Sequence, residues 1–237
     1  MTALVSSTGV VAPCRAFDGG QYNSHVLTIG LDRAGWPFIL GAVAVALAGA
    51  WLGGRLWALP GALLALSFVF FFRDPDRPLA ADQGLILSPA DGEVKFVGPA
   101  MAGAPEGTWQ QITIFLSPLD VHVNRSPVAG RVISARYKPG RFLPAYRPES
   151  GAVNEQAEVW VDHEGRTAVY RQVVGIMARR VVNRVREGEE LRVGQRVGVM
   201  KFGSRMDVFL PVDLAVLVTP RDRVVAGVTV LARWNGR

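Results

Sequence analysis

The sequence predicts a mainly β fold, an antiparallel barrel or sandwich hybrid, that follows an N-terminal hydrophobic helical hairpin. Two apolar runs, residues 37–52 and 56–72, carry almost no charge and predict the hairpin. From residue 84 onward, short β-branched segments alternate with glycine and proline, as in mainly antiparallel sheets. Charged residues recur every few positions after Arg73. The second part of the chain is therefore typical of a water-soluble domain.

The composition indicates a membrane-associated protein. A hydrophobic share of 49% and a mean hydropathy of +0.22 are high for a wholly soluble chain of 237 residues. The net charge of +6 comes mostly from arginine and suits an anionic bilayer. Nucleic acid is not expected as a partner, because the sequence lacks basic tracts interleaved with aromatics and the usual binding motifs. The sole cysteine, Cys14, excludes a disulfide framework and a thiolate metal site.

Residues 1–30 are expected to form a flexible N-terminal arm. They are rich in serine, glycine and threonine, and they lack the basic start and cleavage pattern of a signal peptide. His25 lies in this arm, where a solvated histidine is the simplest expectation.

Residues 31–78 are expected to form a membrane-associated hairpin and its hinge. Pro37 suits the first turn of one helix, and Pro60 would bend the other near its start. At ~1.5 Å per residue each helix would be about 25 Å long, slightly short of the ~30 Å hydrocarbon core. The hairpin would therefore span the membrane or dip into it, with a buried hairpin in a soluble core as the alternative.

The charges that flank the hairpin predict its orientation. Arg33 precedes it, and Arg73 and Arg77 follow it, which places both ends in the cytoplasm by the positive-inside rule. The hinge, residues 73–78, contains two prolines. The β-rich domain, residues 79–237, is then expected on the cytoplasmic face of the cell membrane.

Short β-branched segments of the soluble domain predict its strands. Two glycine turns, at Gly188 and Gly194, are typical of barrel-sandwich folds. The predicted strand bounds are 85–87, 93–97, 111–115, 128–137, 158–162, 167–174, 179–185, 196–199, 206–210, 216–219 and 224–232.

Three segments contain candidate catalytic side chains. Asp91 lies in Ser-Pro-Ala-Asp-Gly, where a tight turn is the ordinary explanation. His122 lies in Asp-Val-His-Val-Asn-Arg, where a structural histidine is the ordinary explanation. Gly203 and Ser204 interrupt an apolar alternation that otherwise predicts a strand over 197–210. Together the three segments supply a hydroxyl nucleophile, an imidazole base and a carboxylate.

Metal chemistry is not expected. A zinc site needs three or four ligands at short spacing, whereas His122 and His163 are about forty residues apart and have no second histidine nearby.

Four motifs, in this order, carry a resemblance to a known family: Phe-Phe-Arg-Asp-Pro, Ser-Pro-Ala-Asp-Gly, Asp-Val-His-Val-Asn-Arg-x-Pro and Phe-Gly-Ser-Arg-x-Asp. From about residue 35 to its C-terminus the chain resembles the short form of the phosphatidylserine decarboxylase proenzyme family. The resemblance implies a pyruvoyl-dependent decarboxylase that converts phosphatidylserine to phosphatidylethanolamine in phospholipid biosynthesis.

The resemblance also implies how the cofactor arises. Ser204 would attack the carbonyl of Gly203, and β-elimination and hydrolysis would leave a covalent pyruvoyl group at residue 204. The product would be a heterodimer of its own two cleavage chains, the smaller with 34 residues. The pyruvoyl ketone would form a Schiff base with the amine of the lipid serine and act as an electron sink, as pyridoxal phosphate does elsewhere.

Two further site residues follow from the resemblance. Asp91 matches the aspartate of the self-cleavage triad, and His122 matches the histidine of the D-x-H segment. Longer family members have a second histidine where this chain has Arg125, which leaves open whether His122 serves maturation, proton donation or both. Arg179 and Arg180 are candidates to bind the lipid phosphate, with a solvated basic strand edge as the alternative.

Other functions are weighed against this one. Met200 and Lys201 are similar to the Met-Lys of biotin-accepting carrier domains, although phenylalanine follows here instead of methionine. A zinc peptidase on a similar barrel would need ligands that the sequence lacks. A non-catalytic membrane scaffold would leave the chain uncut. The expected partners are a membrane phospholipid substrate and an anionic bilayer, and association into a homo-oligomer is left open.

Overall fold

The computed structural model describes residues 29–78, 80, 82–101, 103–147, 149–176, 180–201 and 204–234. The predicted arm, with Cys14 and His25, lies outside the described residues except for its last two positions, which begin a strand. Gly203 and Arg179 also lie outside them.

The N-terminal part is a helical hairpin whose two ends pair with each other. Strand β1 (Ile29–Leu31) leads through a 3-10 turn into helix α1 (Trp36–Gly53). A second 3-10 turn, Arg55–Ala58, precedes helix α2 (Leu59–Phe71) and strand β2 (Arg73–Pro75). Strands β1 and β2 pair antiparallel, with Gly30 opposite Asp74. The chain therefore enters and leaves the hairpin at the same place.

The second apolar run forms two elements where one helix was predicted. The α-helix begins at Leu59 and has Pro60 in its first turn. Proline lacks an N–H, and its ring would clash with the carbonyl four residues earlier, so α2 cannot extend back through Leu56. The preceding residues adopt a 3-10 turn instead.

The two helices pack through small residues and keep apolar side chains on their outer surfaces. A Cβ atom on Gly61 would lie 2.4 Å from the backbone nitrogen of Ala46, so only glycine permits this approach. Outside, Leu47 is 67% exposed and Trp51 is 86% exposed. Among the described residues, one helix, Arg33–Gly53, is long and apolar enough to cross a membrane.

The rest of the chain is dominated by strands, which confirms the predicted fold class. The helix α3 and the remaining strands have these bounds: β3 Leu85–Leu87, β4 Gly92–Pro99, β5 Trp109–Leu116, β6 Val123–Arg125, β7 Gly130–Lys138, α3 Ser150–Val153, β8 Gln156–His163, β9 Arg166–Val174, β10 Val181–Asn183, β11 Glu190–Leu191, β12 Arg196–Met200, β13 Ser204–Pro211, β14 Arg223–Val224 and β15 Val230–Arg233.

The largest sheet is antiparallel and curls into a half-barrel. Within the described residues its order is β11-β7-β8-β9-β13-β5-β4-β14. A smaller sheet has the order β10-β12-β6, and β15 pairs with β3. The inner face of the half-barrel holds the core, where Ile114, Tyr170 and Met206 are fully buried.

Most predicted strands are confirmed, with shifted ends. The strand predicted over 216–219 is wrong, since Val216 makes only an isolated bridge to Ala232. The strand predicted over 224–232 is two strands, because a turn with Gly227 at φ 69° separates β14 from β15. The predicted turns at Gly188 and Gly194 are confirmed by positive φ. Strands β1, β2, β6 and β11, each of two or three residues, were not predicted.

Candidate active site

Asp91 lies where the chain passes from one sheet to another. It follows β3 and directly precedes β4, which belong to different sheets, so the Asp91-Gly92 turn is not a hairpin. A Cβ atom on Gly92 would lie 2.1 Å from the carbonyl oxygen of Phe115, so glycine is required where β4 begins beside β5. This close approach fixes the backbone next to the Asp91 carboxylate.

The Asp91 carboxylate is held by three hydrogen bonds. Arg77 donates to both oxygens, over 2.6 Å to Oδ1 and 2.8 Å to Oδ2. The backbone N–H of Ala226 donates to Oδ1 over 2.8 Å. The same arginine donates to the carbonyl oxygen of Ala226 over 2.8 Å. Both charged side chains are largely buried, with exposed fractions of 11% for Arg77 and 15% for Asp91.

His122 is fully buried and has a defined tautomer. Its Nδ1 lies 2.9 Å from the backbone carbonyl oxygen of Asp120. A carbonyl only accepts, so Nδ1 carries the proton and Nε2 of the neutral ring is a bare acceptor. Within the described part of the chain, Nε2 has no hydrogen-bond partner. The ring packs on Phe71 of α2, with 4.0 Å between centroids.

Burial keeps the His122 imidazole neutral. It lowers the pKa of His122 to about 4, against weaker opposing effects of the Asp120 carbonyl and of the Asp120 and Asp91 charges, while Arg73 also lowers it. The neutral ring with its bare Nε2 is suited to accept a proton. As a proton donor, the same ring must first take a proton up.

Ser204 begins the strand β13 in the middle of the largest sheet. Its backbone lies opposite Leu116 of β5 and Val174 of β9. The preceding strand, β12, ends at Met200 in the smaller sheet, so a strand break precedes Ser204, while Ser204 itself lies in a strand. The Met200 N–H donates to the carbonyl oxygen of His122 over 3.1 Å. The connection that leads to Ser204 therefore begins beside His122.

The described residues do not form a complete Ser-His-Asp relay by direct contact. The hydrogen bonds recorded for the Asp91 carboxylate go to Arg77 and Ala226, and its effect on His122 is electrostatic. The Asp120 carboxylate likewise points elsewhere, to Arg223 at 2.7 Å. Asp91 and His122 lie in one electrostatic environment, while Gly203 lies outside the described residues.

Arg125 is buried and its side chain holds the hinge. Its guanidinium donates to the carbonyl oxygens of Gly194 at 3.0 Å and of Pro75 at 3.1 Å. Asp74 lies 3.7 Å from it. Burial lowers the pKa of Arg125 to about 10, so it remains a cation at neutral pH. Through these contacts Arg125 holds the hinge against the β-rich domain at the base of the hairpin.

Two cations lie near the base of the hairpin. The Nζ of Lys201 is 5.0 Å from the centroid of the Phe38 ring of α1. Burial and the charge of Arg180 lower the pKa of Lys201, while Asp32 opposes them. Arg180 itself is exposed, and its candidate neighbour Arg179 lies outside the described residues.

Sequence reasoning missed two residues that touch the candidate site, Phe71 and Arg77. Both belong to the Phe-Phe-Arg-Asp-Pro-Asp-Arg run, which was interpreted only as the hairpin end and its hinge. The four charged residues within five positions around Pro75 were the available signal. No group of three or more metal-ligating side chains occurs in the described ranges.

Comparisons with known proteins agree with the motifs. A protein-family model described as phosphatidylserine decarboxylase matches residues 64–232. A phosphatidylserine decarboxylase proenzyme of Symbiobacterium thermophilum is 46% identical over 210 residues, covering 86% of this chain and 95% of the relative. A proenzyme of the same name from Solibacter usitatus is 43% identical, covering 83% of this chain and 93% of the relative. Another, from Nitrosomonas europaea, is 42% identical, covering 86% of this chain and 95% of the relative. The chain therefore belongs to the phosphatidylserine decarboxylase family of enzymes.

Proposed function

We propose that this chain cleaves itself between Gly203 and Ser204 and then converts phosphatidylserine to phosphatidylethanolamine with a pyruvoyl group derived from Ser204. The observation that carries the proposal is the bond from Met200 N–H to the His122 carbonyl. It starts the three-residue connection to Ser204 beside a buried, neutral imidazole. The word proenzyme in the names of the relatives supports the maturation step.

Maturation needs a base, and the neutral imidazole of His122 can act as one. The Ser204 hydroxyl gives up its proton as its oxygen bonds to the Gly203 carbonyl carbon and the peptide C–N bond breaks. Loss of the Ser204 α-proton then breaks the Cβ–O bond and leaves Gly203 as a carboxylate. Water replaces the nitrogen at residue 204, which departs as ammonia. The bare Nε2 of His122 is suited to take the first proton.

Asp91 would support this step through charge. Its effect on the His122 pKa is upward, which means that the negative charge stabilises the protonated ring. An imidazolium formed during proton transfer would therefore be held more favourably with Asp91 ionised. The bidentate pair with Arg77 fixes where that charge lies.

His122 is suited to the chemistry of a pyruvoyl group at position 204. When formed, it supplies the electron sink into which the bond to the departing carboxylate releases its electrons. The Nε2 of His122 has no partner among the described atoms and would be suited to proton exchange, since the His122 backbone bonds to Met200 at the start of the connection to Ser204. Having accepted a proton, the same nitrogen becomes a donor to the decarboxylated carbon.

The proposed substrate is a membrane lipid, and the apolar hairpin suits access to it. Exposed apolar side chains on α1 and α2 would enter the bilayer, with the β-rich domain at the cytoplasmic face. Arg180 and Lys201 at the base of the hairpin would attract the anionic headgroup, at ~1 kcal/mol per basic residue. Arg179 is proposed with them on sequence grounds.

Intact mass spectrometry of the purified protein tests the proposal. We expect two chains, residues 1–203 and a 34-residue chain that begins at position 204 and lacks a free amine. The Ser204→Ala variant should give one uncut chain. A wild-type protein that is uncut and decarboxylates phosphatidylserine, or a Ser204→Ala protein that is still cut, would contradict the mechanism.

A further inference from the structure

The hinge that ends the hairpin touches both candidate residues of the active site. Phe71, the last residue of α2, packs against the His122 ring with 4.0 Å between centroids and a tilt of 32°. Six residues later, Arg77 forms the bidentate pair with Asp91. The segment between them, β2, is tied to the entry of the hairpin by β1. A short stretch at the base of the hairpin therefore reaches the imidazole and the carboxylate.

These contacts are additional to those that attach the hinge to the β-rich domain. Arg196 binds Asp74 at 2.6 Å and Asp76 at 2.7 Å, and its side chain is 41% exposed. Buried Arg125 donates to the carbonyl of Pro75. The hinge is thus attached independently of Arg77, whose bonds go to Asp91 and to the adjacent Ala226 carbonyl.

We propose that Arg77 and Phe71 are positioning residues of the active site, so that the hairpin completes the site as well as anchoring it. This inference rests on the proposed function. Arg77 orients the Asp91 carboxylate through two parallel N–H···O bonds, a geometry that lysine cannot reproduce. Phe71 covers the His122 ring and keeps water from it.

The orientation of the Asp91 carboxylate matters because of where its charge lies relative to the His122 ring. The Asp91 carboxylate is not hydrogen-bonded to the described atoms of His122, so it acts on the imidazole through space, and that effect depends on where the charge lies. With Arg77 shortened, Asp91 keeps only its Ala226 N–H bond and can rotate toward solvent. The protonated ring would then lose part of its stabilisation.

The first experiment compares Arg77→Gln with Arg196→Gln, which removes an arginine of β12 that binds Asp74 and Asp76 of the hinge. The full-length chain is made by cell-free synthesis with anionic phospholipid vesicles, and the rate at which the 34-residue chain appears is followed. We expect Arg77→Gln to slow cleavage by about tenfold or more, because misplaced catalytic groups cost that much. Arg77→Lys should be slowed as well, and Arg196→Gln should cleave like the wild type.

Chemical rescue separates positioning from loss of structure. Guanidinium ion at low millimolar concentration should restore part of the cleavage rate in an Arg77→Ala variant, because it can occupy the space beside Asp91. It should not accelerate the wild type or Arg196→Gln. Equal cleavage rates for Arg77→Gln and Arg196→Gln, or no rescue of a folded Arg77→Ala protein, would overturn the role of Arg77.

The second experiment compares Phe71→Ala with Phe72→Ala. Phe72 is fully buried at the same helix end, where it packs against Phe38 and, edge-on at 5.0 Å between centroids, against Phe71. Because burial lowers the pKa of His122, water admitted by Phe71→Ala should move the acid limb of the cleavage rate to higher pH. Arg73, Asp120 and Asp91, the charges that face the ring, are present in both variants.

Phe72→Ala removes a neighbour of Phe71 but keeps the Phe71 ring on His122, so it should move the acid limb by less than Phe71→Ala does. Should Phe71→Ala fail to fold, Phe71→Leu is expected to move the limb in the same direction by less. An unmoved limb in a folded Phe71 variant would overturn the role of Phe71. The proposed function is contradicted if the wild-type protein is not cleaved. This inference is contradicted if the wild type is cleaved and the Arg77 and Phe71 variants behave like it.

Discussion

The surroundings of His122 select one protonation state of its ring. The ring is fully buried, and a backbone carbonyl fixes the proton on Nδ1. Removal from water lowers the pKa of His122 to about 4, so the ring is neutral across the physiological range. The neutral ring is therefore suited to act as the base in the first step of the proposed reaction.

Stability should fall in acid because of His122. Its pKa is about 4 when folded and about 6.5 in an unfolded chain, so the unfolded state binds the proton first as the pH falls below 6.5. The stability present above pH 6.5 should decrease by roughly 2 to 3 kcal/mol as the pH falls to 4. In a Ser204→Ala background, urea unfolding at pH 7 and 4.5 should show a smaller loss for His122→Gln. Equal losses in the two proteins would contradict the cause.

Asp91 should be needed as a charge and not only as a turn residue. Asp91→Asn keeps the shape and the acceptor oxygen, but it removes the ion pair with Arg77 and the field on His122. We expect self-cleavage to slow by about a hundredfold, within the range found for proton-transfer groups. The measurement is the amount of uncut chain at fixed times. Normal cleavage of a folded Asp91→Asn protein would leave Asp91 with its turn role alone.

At the scale of elements, the hairpin is a packed unit with a closed base. Its helices approach through Gly61 and Ala46, while strands β1 and β2 pair at the base. Within a bilayer the hydrophobic effect between helices is lost, so such close packing of small residues is what holds helices together. The orientation of Phe71 toward His122 therefore depends on how α2 packs against α1.

Gly61→Val should weaken that packing, whereas Gly41→Val should not. A Cβ on Gly61 would meet the Ala46 backbone, and a Cβ on Gly41 would meet nothing within 4 Å. We expect the Gly61 variant to unfold at a temperature lower by several degrees, corresponding to about 1 to 3 kcal/mol of overpacking. The readout is thermal unfolding in detergent. Equal unfolding temperatures for the two variants would argue against a tight helix contact.

At the scale of the whole molecule, apolar and polar surfaces are separated. The outer faces of α1 and α2 expose leucine and tryptophan, whereas the β domain buries its apolar residues inside the half-barrel. Since β1 and β2 are paired, the hairpin enters and leaves on one side of any membrane that holds it. The same pairing keeps the base of the hairpin next to Asp91 and His122.

Membrane binding should depend on the outer face of the hairpin. The double variant Leu47→Glu and Leu56→Glu places charges on side chains that are 67% and 77% exposed and distant from the site. Charged side chains at membrane depth cost about 3 kcal/mol each, so co-flotation with anionic vesicles should be lost. Val212→Glu with Leu217→Glu, on exposed positions of the β domain, is the control and should float. Flotation of both double variants would contradict insertion of the hairpin.

The amino-acid sequence by itself determined which segments form apolar helices and which form strands. The apolar runs without a polar face predicted the hairpin, because charge is too costly in lipid to be hidden there. Alternating residues predicted β4 and β8, since a strand with one buried face shows that period. Runs rich in β-branched residues predicted β5 and β9, which are buried on both faces. The Gly-Ser break was also visible, because it interrupts the alternation. The four ordered motifs were enough to indicate the family.

Only the tertiary structure decided the contacts between distant segments. Nothing local in the sequence pairs Arg77 with Asp91, since their proximity depends on the path of the hinge across the domain. The tautomer of His122 likewise depends on a backbone carbonyl, and its neutrality on burial beneath Phe71. Local pattern determines which face of an element is apolar, whereas side-chain partners and pKa values follow from packing between elements.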